Sequence, residues 1–211
     1  MEPKVTVGVT LLVVMVVAFS GVEGAGKTAV CNKYPPLVGF EMDRYLGRWW
    51  QMEKSPNWAE LPGKCWSSFY YRDASNPEKV KLRMDYVTRL TNAPNTFFSN
   101  LVIESPSHDP SNFMYTAPAM PWRKKHFRVL ATDYDNFAIE YMCQVNMMNN
   151  VEETVWLLTR DRRPSLEVMQ QARHTLQVLG LDKVKMYEAD QSCEEKPYKP
   201  NSMMDWLSPS T

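Results

Sequence analysis

Gly21-Val22-Glu23-Gly24-Ala25-Gly26-Lys27-Thr28 matches the pattern G-x4-GK[ST]. In a phosphate loop that pattern places backbone amides and a lysine around a nucleotide's phosphates, with a long helix behind them. Taken literally, it assigns a phosphate-loop nucleotide hydrolase. Two features of the chain argue against that reading. Pro35-Pro36 ends any helix within about two turns. No alternation of strands with helices follows, so no parallel sheet can form around the loop. His108, His126 and His174 are scattered, which indicates neither a metal site nor a His-based triad. No G-x-S-x-G elbow occurs. The residues therefore point away from catalysis, with no metal and no required cofactor.

The elements that must position any binding site are mostly strands. Val80, Leu82, Met84 and Tyr86 alternate with Lys79, Lys81, Arg83 and Asp85, the period of a strand with one face buried and one wet. Similar short runs lie at 48–54, 65–72, 96–104, 113–116, 127–133, 137–145 and 154–160. Eight strands at roughly ten-residue spacing predict an antiparallel sandwich or barrel. The period then changes. Pro164, followed by Leu166, Met169, Ala172, Leu176 and Leu179 with Gly180 after them, predicts one helix. An extended piece near residues 184–187 leads on to Cys193.

The two ends of the chain read differently from its middle. Lys4, an uncharged run from Val5 to Phe19, and the small residues Ser20, Gly21, Gly24 and Ala25 form a secretory signal peptide over about residues 1–24. At about 15 residues the run is short for a membrane-spanning helix. The folded domain is expected over 25–193, and residues 194–211, with prolines, serines and mixed charges, read as a disordered tail. The phosphate-loop match overlaps the expected cleavage zone. Twenty-four basic residues balance twenty-four acidic ones in the 211-residue chain, so no net field favours nucleic acid. Four cysteines, Cys31, Cys65, Cys143 and Cys193, follow the signal. In a secreted chain they argue for two disulfides, with three connectivities open.

Gly47-Arg48-Trp49 on the first strand, Thr132-Asp133-Tyr134 after the sixth and Arg160 at the end of the eighth form a set that resembles the lipocalin family. The likeness is strongest to its branch of apolipoprotein D, Lazarillo and the insect bilin-binding proteins. The resemblance implies an all-β fold: an eight-stranded antiparallel up-and-down barrel with one C-terminal helix on its wall. It implies the pairings Cys31–Cys143 and Cys65–Cys193. It also implies extracellular binding and transport of a small hydrophobic ligand, such as a sterol, retinoid, fatty acid or bilin, with a bilin-binding pigment carrier as the alternative. In such a barrel Trp49 plugs the closed end and Arg160 lies across its ring, a cation–π contact worth about 0.5–2 kcal/mol. These motif residues are structural.

Ligand contacts are expected from inward positions nearer the mouth. Parity nominates Leu82, Met84 and Tyr86 on the third strand, Trp66, Ser68 and Tyr70 on the second, and Trp156 and Leu158 on the eighth. Tyr70 and Trp156 also match pocket positions of the resembled branch. In an up-and-down barrel the odd-numbered connections share the open end. Three of them carry apolar residues: Trp58 with Leu61, Met120 with Trp122, and Met147 with Met148. Trp122 precedes Arg123-Lys124-Lys125-His126. An aromatic beside a basic cluster suits docking on a membrane or lipoprotein surface; the same residues equally suit a lid folded over the cavity.

Overall fold

The computed structural model describes residues 30–31 and 34–193. The signal peptide expected at 1–24, the phosphate-loop match at 21–28 and the tail at 194–211 lie outside the described residues, as does the side chain of Trp58. In chain order the elements are α1 (Met42–Tyr45), β1 (Gly47–Lys54), a 3-10 turn (Trp58–Glu60), β2 (Gly63–Asp73), β3 (Asn76–Thr88) and β4 (Pro94–Ser105). There follow β5 (Asp109–Ala117), β6 (Met120–Thr132), β7 (Phe137–Val145), β8 (Val151–Thr159), α2 (Leu166–Val178) and β9 (Tyr187–Glu188).

Each strand from β2 to β8 pairs antiparallel with the next, β8 pairs with β1, and β1 pairs with β2. Eight strands thereby close on themselves and leave no free edge between them. Alternation builds the wall. In β5, Asp109, Ser111, Phe113 and Tyr115 are buried while the residues between them are half-buried. β1 breaks the alternation with a register shift between Gln51 and Glu53, as a bulge does. Trp49 therefore packs inside the barrel, Met52 and Glu53 pack toward α2, and Lys54 turns to Glu60.

Two apolar cores result. The first fills the barrel and includes Phe40, Trp49, Tyr70, Leu101, Phe113, Phe127 and Trp156. The second lies between the outer wall and α2, where Ile139, Tyr141, Val155 and Leu157 meet Ala172 and Leu176. Ser165 caps α2 by accepting from the Val168 amide at 3.3 Å, just after Pro164, and Gly180 ends it at φ +71°. That is the helix-start and helix-stop chemistry the sequence displays. Arg173 Nε donates to Glu53 Oε1 at 2.6 Å, which ties α2 to β1. Disulfides Cys31–Cys143 and Cys65–Cys193 close sequence separations of 112 and 128 residues. The second is aided by β9, which pairs with β1 at Glu53 and Lys54 and steers the chain back to β2.

The architecture departs from the sequence reading most at three elements, while β2, β4, β5 and β8 begin two to four residues earlier than read. The short α1 and the 3-10 turn have no counterpart in it, because one turn of helix carries too little periodicity to recognise. β6 begins at Met120, seven residues earlier than the apolar run suggests. Trp122 and the basic cluster therefore lie on a strand paired with β5 rather than in a loop. A rim strand with both faces partly wetted shows no alternation to read.

Candidate functional site

At the closed end the chain converges on Arg160. Its guanidinium carbon lies 3.8 Å from the centroid of the fully buried Trp49 ring. Its nitrogens donate to the carbonyls of Tyr134 (2.8 Å), Leu46 (2.9 Å), Arg48 (3.1 Å), Arg44 (2.8 Å) and, more weakly, Tyr45 (3.4 Å). All but the Tyr134 carbonyl, which belongs to the β6–β7 turn, lie in or just after α1 or at the start of β1, so one side chain satisfies acceptors that the helix end leaves unpaired and ties them to that turn. Gly47 adopts φ +98°, and a Cβ there would stand 3.2 Å from Arg160 Nη1. Only glycine fits both demands. Trp49 Nε1 donates to the Tyr45 carbonyl at 2.9 Å.

The Thr132-Asp133-Tyr134 turn seals the same end. Thr132 Oγ1 donates to the Phe137 carbonyl and accepts from the Tyr134 amide, each at 2.9 Å. Asp133 accepts from the amides of Asn136 and Phe137 and from Asn136 Nδ2. Partial burial alone would raise the Asp133 carboxyl, but those donors hold it below its ordinary range. Tyr134 accepts from the Glu41 amide through its hydroxyl and stacks on Phe40. The side chains of Thr132, Asp133 and Tyr134 all hydrogen-bond to the chain itself.

Above this base lies a cavity of about 490 Å³, bounded by Pro56, Asn57, Ala59 and Glu60 of the β1–β2 connection and by Gln144 and Glu152 of β7 and β8. Of the positions nominated by parity, Trp66, Ser68, Tyr70, Leu82, Met84, Trp156 and Leu158 all line it. Tyr86 does not. Its ring stacks flat against Trp66, with centroids 4.2 Å apart and an interplanar angle of 12°, so it backs the lining instead of contributing to it. The register shift in β2 between Lys64 and Ser67 turns Trp66 across its neighbour.

Two lining residues that matter electrostatically were not singled out in the sequence. Glu60, on the 3-10 turn, accepts from Asn57 Nδ2 and Trp156 Nε1 through one oxygen, and from Gln51 Nε2 and Lys54 Nζ through the other. It pins the β1–β2 connection across the mouth. Glu140, on β7, is 3% exposed, and its Oε1 accepts from both Tyr45 and Tyr70 hydroxyls at 2.5 Å. Burial pushes its carboxyl up to about 7; the two tyrosine hydrogen bonds oppose the rise and the nearby Glu60 adds to it. The same burial and the facing carboxylate raise both tyrosines. A signal for Glu140 did exist. Cys143 shares parity with Phe137, Ile139 and Tyr141, and a bridge to the N-terminal segment requires that face to be outside. Glu140 is then inside.

Exposed apolar residues ring the mouth. Trp122 is 74% exposed, Met147 and Met148 stand free on the β7–β8 turn, and Leu61 and Met120 are also exposed. Leu90, on the β3–β4 connection at the same end of the barrel, is 91% exposed. Lys125 lines the cavity, and burial followed by the Arg123 charge lowers its ammonium group below the usual lysine value.

The comparisons with known proteins agree with this geometry. Residues 105–192 match the model of the lipocalin / cytosolic fatty-acid binding protein family. Apolipoprotein D of Oryctolagus cuniculus is 31% identical over 169 residues, covering 78% of this chain and 85% of that protein. The bilin-binding protein of Pieris brassicae is 22% identical over 154 residues, covering 72% and 78%. Among solved structures, insecticyanin from Manduca sexta superposes with a TM-score of 0.65 at 21% identity, covering 77% of this chain and 86% of that one. With a closed eight-stranded barrel, a helix on its wall and an arginine over the tryptophan at its base, the chain belongs to the lipocalin family of ligand-binding proteins.

Proposed function

We propose that this protein is a secreted carrier that binds one small hydrophobic molecule in the barrel and transports it, without catalysis. The observation that carries the reading is the cavity of about 490 Å³, walled by Trp66, Tyr70, Leu82, Met84, Trp156 and Leu158. That volume is in the range of ligand sites for drug-sized molecules. At about 0.3 kcal/mol per heavy atom, a ligand of about 20–25 atoms gains roughly 6–8 kcal/mol, a micromolar affinity suited to release as well as capture. Two disulfides support an oxidising, extracellular destination. Sterol, retinoid, fatty acid and bilin are the ligand classes of suitable size. A bilin-binding pigment carrier, as the name of the Pieris relative suggests, is the alternative within that set.

The ring of Leu61, Leu90, Trp122, Met147 and Met148 beside Arg123 and Lys124 supports a second part of the proposal. The mouth docks on an anionic lipid surface, where a ligand can pass between membrane and cavity. Native mass spectrometry of protein purified from its source tests the carrier reading. A bound species of a few hundred daltons, blue or green if it is a bilin, is the expected result. Apoprotein alone that also fails to bind added retinol or sterol would overturn it. The N-terminal mass from the same spectrum bears on the phosphate-loop reading, since a mature chain starting after Gly21 no longer contains that motif.

A further inference from the structure

We propose that the buried end of the ligand is a hydrogen-bond donor, an alcohol or an amine, which docks on Glu140, and that the cavity discriminates against hydrophobic acids. This inference rests on the carrier reading and narrows its ligand class.

Glu140 projects from β7 into the base of the cavity between its register neighbours, Val129 on β6 and Trp156 on β8. Both tyrosine hydrogen bonds converge on Oε1, and Oε2 has no partner among the described residues. The groups that face this carboxyl can be followed element by element. α1 supplies the Tyr45 hydroxyl and β2 the Tyr70 hydroxyl, both already donating to Oε1. The Trp156 indole of β8 is committed to Glu60, as is Lys54 of β1. The Tyr115 hydroxyl of β5 is paired with Ser99 of β4. Lys125 of β6 lines the cavity, and the carboxylate that acts on its charge is Glu152. Arg160 is spent on the carbonyls of the closed end. Glu60 contributes only a like charge.

The two cavity carboxyls therefore differ in kind. Glu60 has four donors, one of them a lysine, and its charge is compensated within the protein. Glu140 has two neutral donors on one oxygen and an open acceptor on the other. A buried carboxylate in that state is costly until something donates to it. An alcohol or ammonium group entering the base supplies that donor. A ligand carboxylate placed there would add a second negative charge beside the first. The elevated Glu140 carboxyl agrees with this account: near neutrality it waits for either a proton or a donor. Selectivity should accordingly strengthen as pH rises through about 7 and weaken below it, where protonated Glu140 can itself donate to an acid.

Retinol, retinylamine and retinoic acid share one hydrocarbon skeleton and differ only at the polar end. Their titration into the full-length protein, followed by quenching of tryptophan fluorescence at pH 8 and pH 5.5, separates the outcomes. The alcohol and amine are expected to bind at least about tenfold more tightly than the acid at pH 8, with the gap narrowing to a few-fold at pH 5.5. Glu140→Gln, which keeps the shape and removes the charge, is expected to close most of the gap at pH 8. Should that variant not fold, the pH dependence of the wild-type ratio decides alone. Equal or tighter binding of the acid at pH 8, or an unchanged gap in folded Glu140→Gln, overturns this inference and leaves the carrier reading standing. Failure of all three retinoids to bind overturns this inference and, together with apoprotein alone in the native mass spectrum, the carrier reading as well.

Discussion

At the closed end Trp49 is fully buried under Arg160, while at the open end Trp122 stands in solvent beside Arg123, a similar pair of residue types in opposite circumstances. Around Arg160 almost every polar group is answered by another part of the chain, through carbonyls of Arg44, Leu46, Arg48 and Tyr134. Around the mouth, the apolar side chains of Leu61, Leu90, Met147 and Met148 have no such answer. Between the two lies Glu140, whose polar partners come from the closed-end side and whose open oxygen belongs to the cavity. Saturation at the base is what a structural plug requires. Unsatisfied surface and unsatisfied acceptors mark where a partner belongs.

The comparison breaks first at Arg160. Replacement by alanine removes the cation–π contact and strands the carbonyls it serves, and is expected to lower stability by about 3 kcal/mol or more in urea unfolding. A loss below about 1 kcal/mol would mean that strand pairing alone closes the barrel. Next comes Glu140→Gln, read as stability against pH. The folded-state value, about 7 against an ordinary 4.5, is raised, so the native protein holds this proton more strongly than the unfolded chain does. The stabilisation it gives is fully present below about 4.5 and is lost as pH rises through about 7. The variant lacks that dependence, so its stability relative to wild type should improve between pH 5 and pH 8, by at most about 3 kcal/mol. A difference that stays flat over this window would show that Glu140 is compensated in solution. The smallest effect on stability belongs to the mouth. Trp122→Ala combined with Met147→Ala should change unfolding by no more than about 0.5 kcal/mol, while flotation with vesicles containing anionic lipid falls several-fold. Equal, negligible flotation of both proteins would remove the docking proposal.

Much of the closed end was legible in the sequence because its residues form a set that resembles the lipocalin family. Local chemistry supports that set: Gly47 takes φ +98° and Asp133 caps its own turn. The lining was legible by parity for β2, β3 and β8, since strands alternate. It failed at Tyr86, where a register shift in β2 lets Trp66 cover its neighbour. Alternation alone does not point to Glu140, because the more apolar face of β7 is the outer one, buried under α2. A strand packed on both faces gives no contrast from which to tell inside from outside.

By itself the chain determined that strands would dominate, that one helix would follow them, and that Gly47, Trp49, Thr132–Tyr134 and Arg160 would act together. Each of those statements rests on local periodicity, turn chemistry or a recognisable set of residues. Only the tertiary structure decided that Tyr45 and Tyr70 converge on one oxygen of Glu140, that Lys54 turns inward past a bulge to compensate Glu60, and that β6 carries Trp122 on a strand. These depend on closure of the barrel, which brings residues 70 and 95 positions apart within hydrogen-bond reach. Charge compensation at such distances is a property of the assembled wall, and no stretch of sequence contains it.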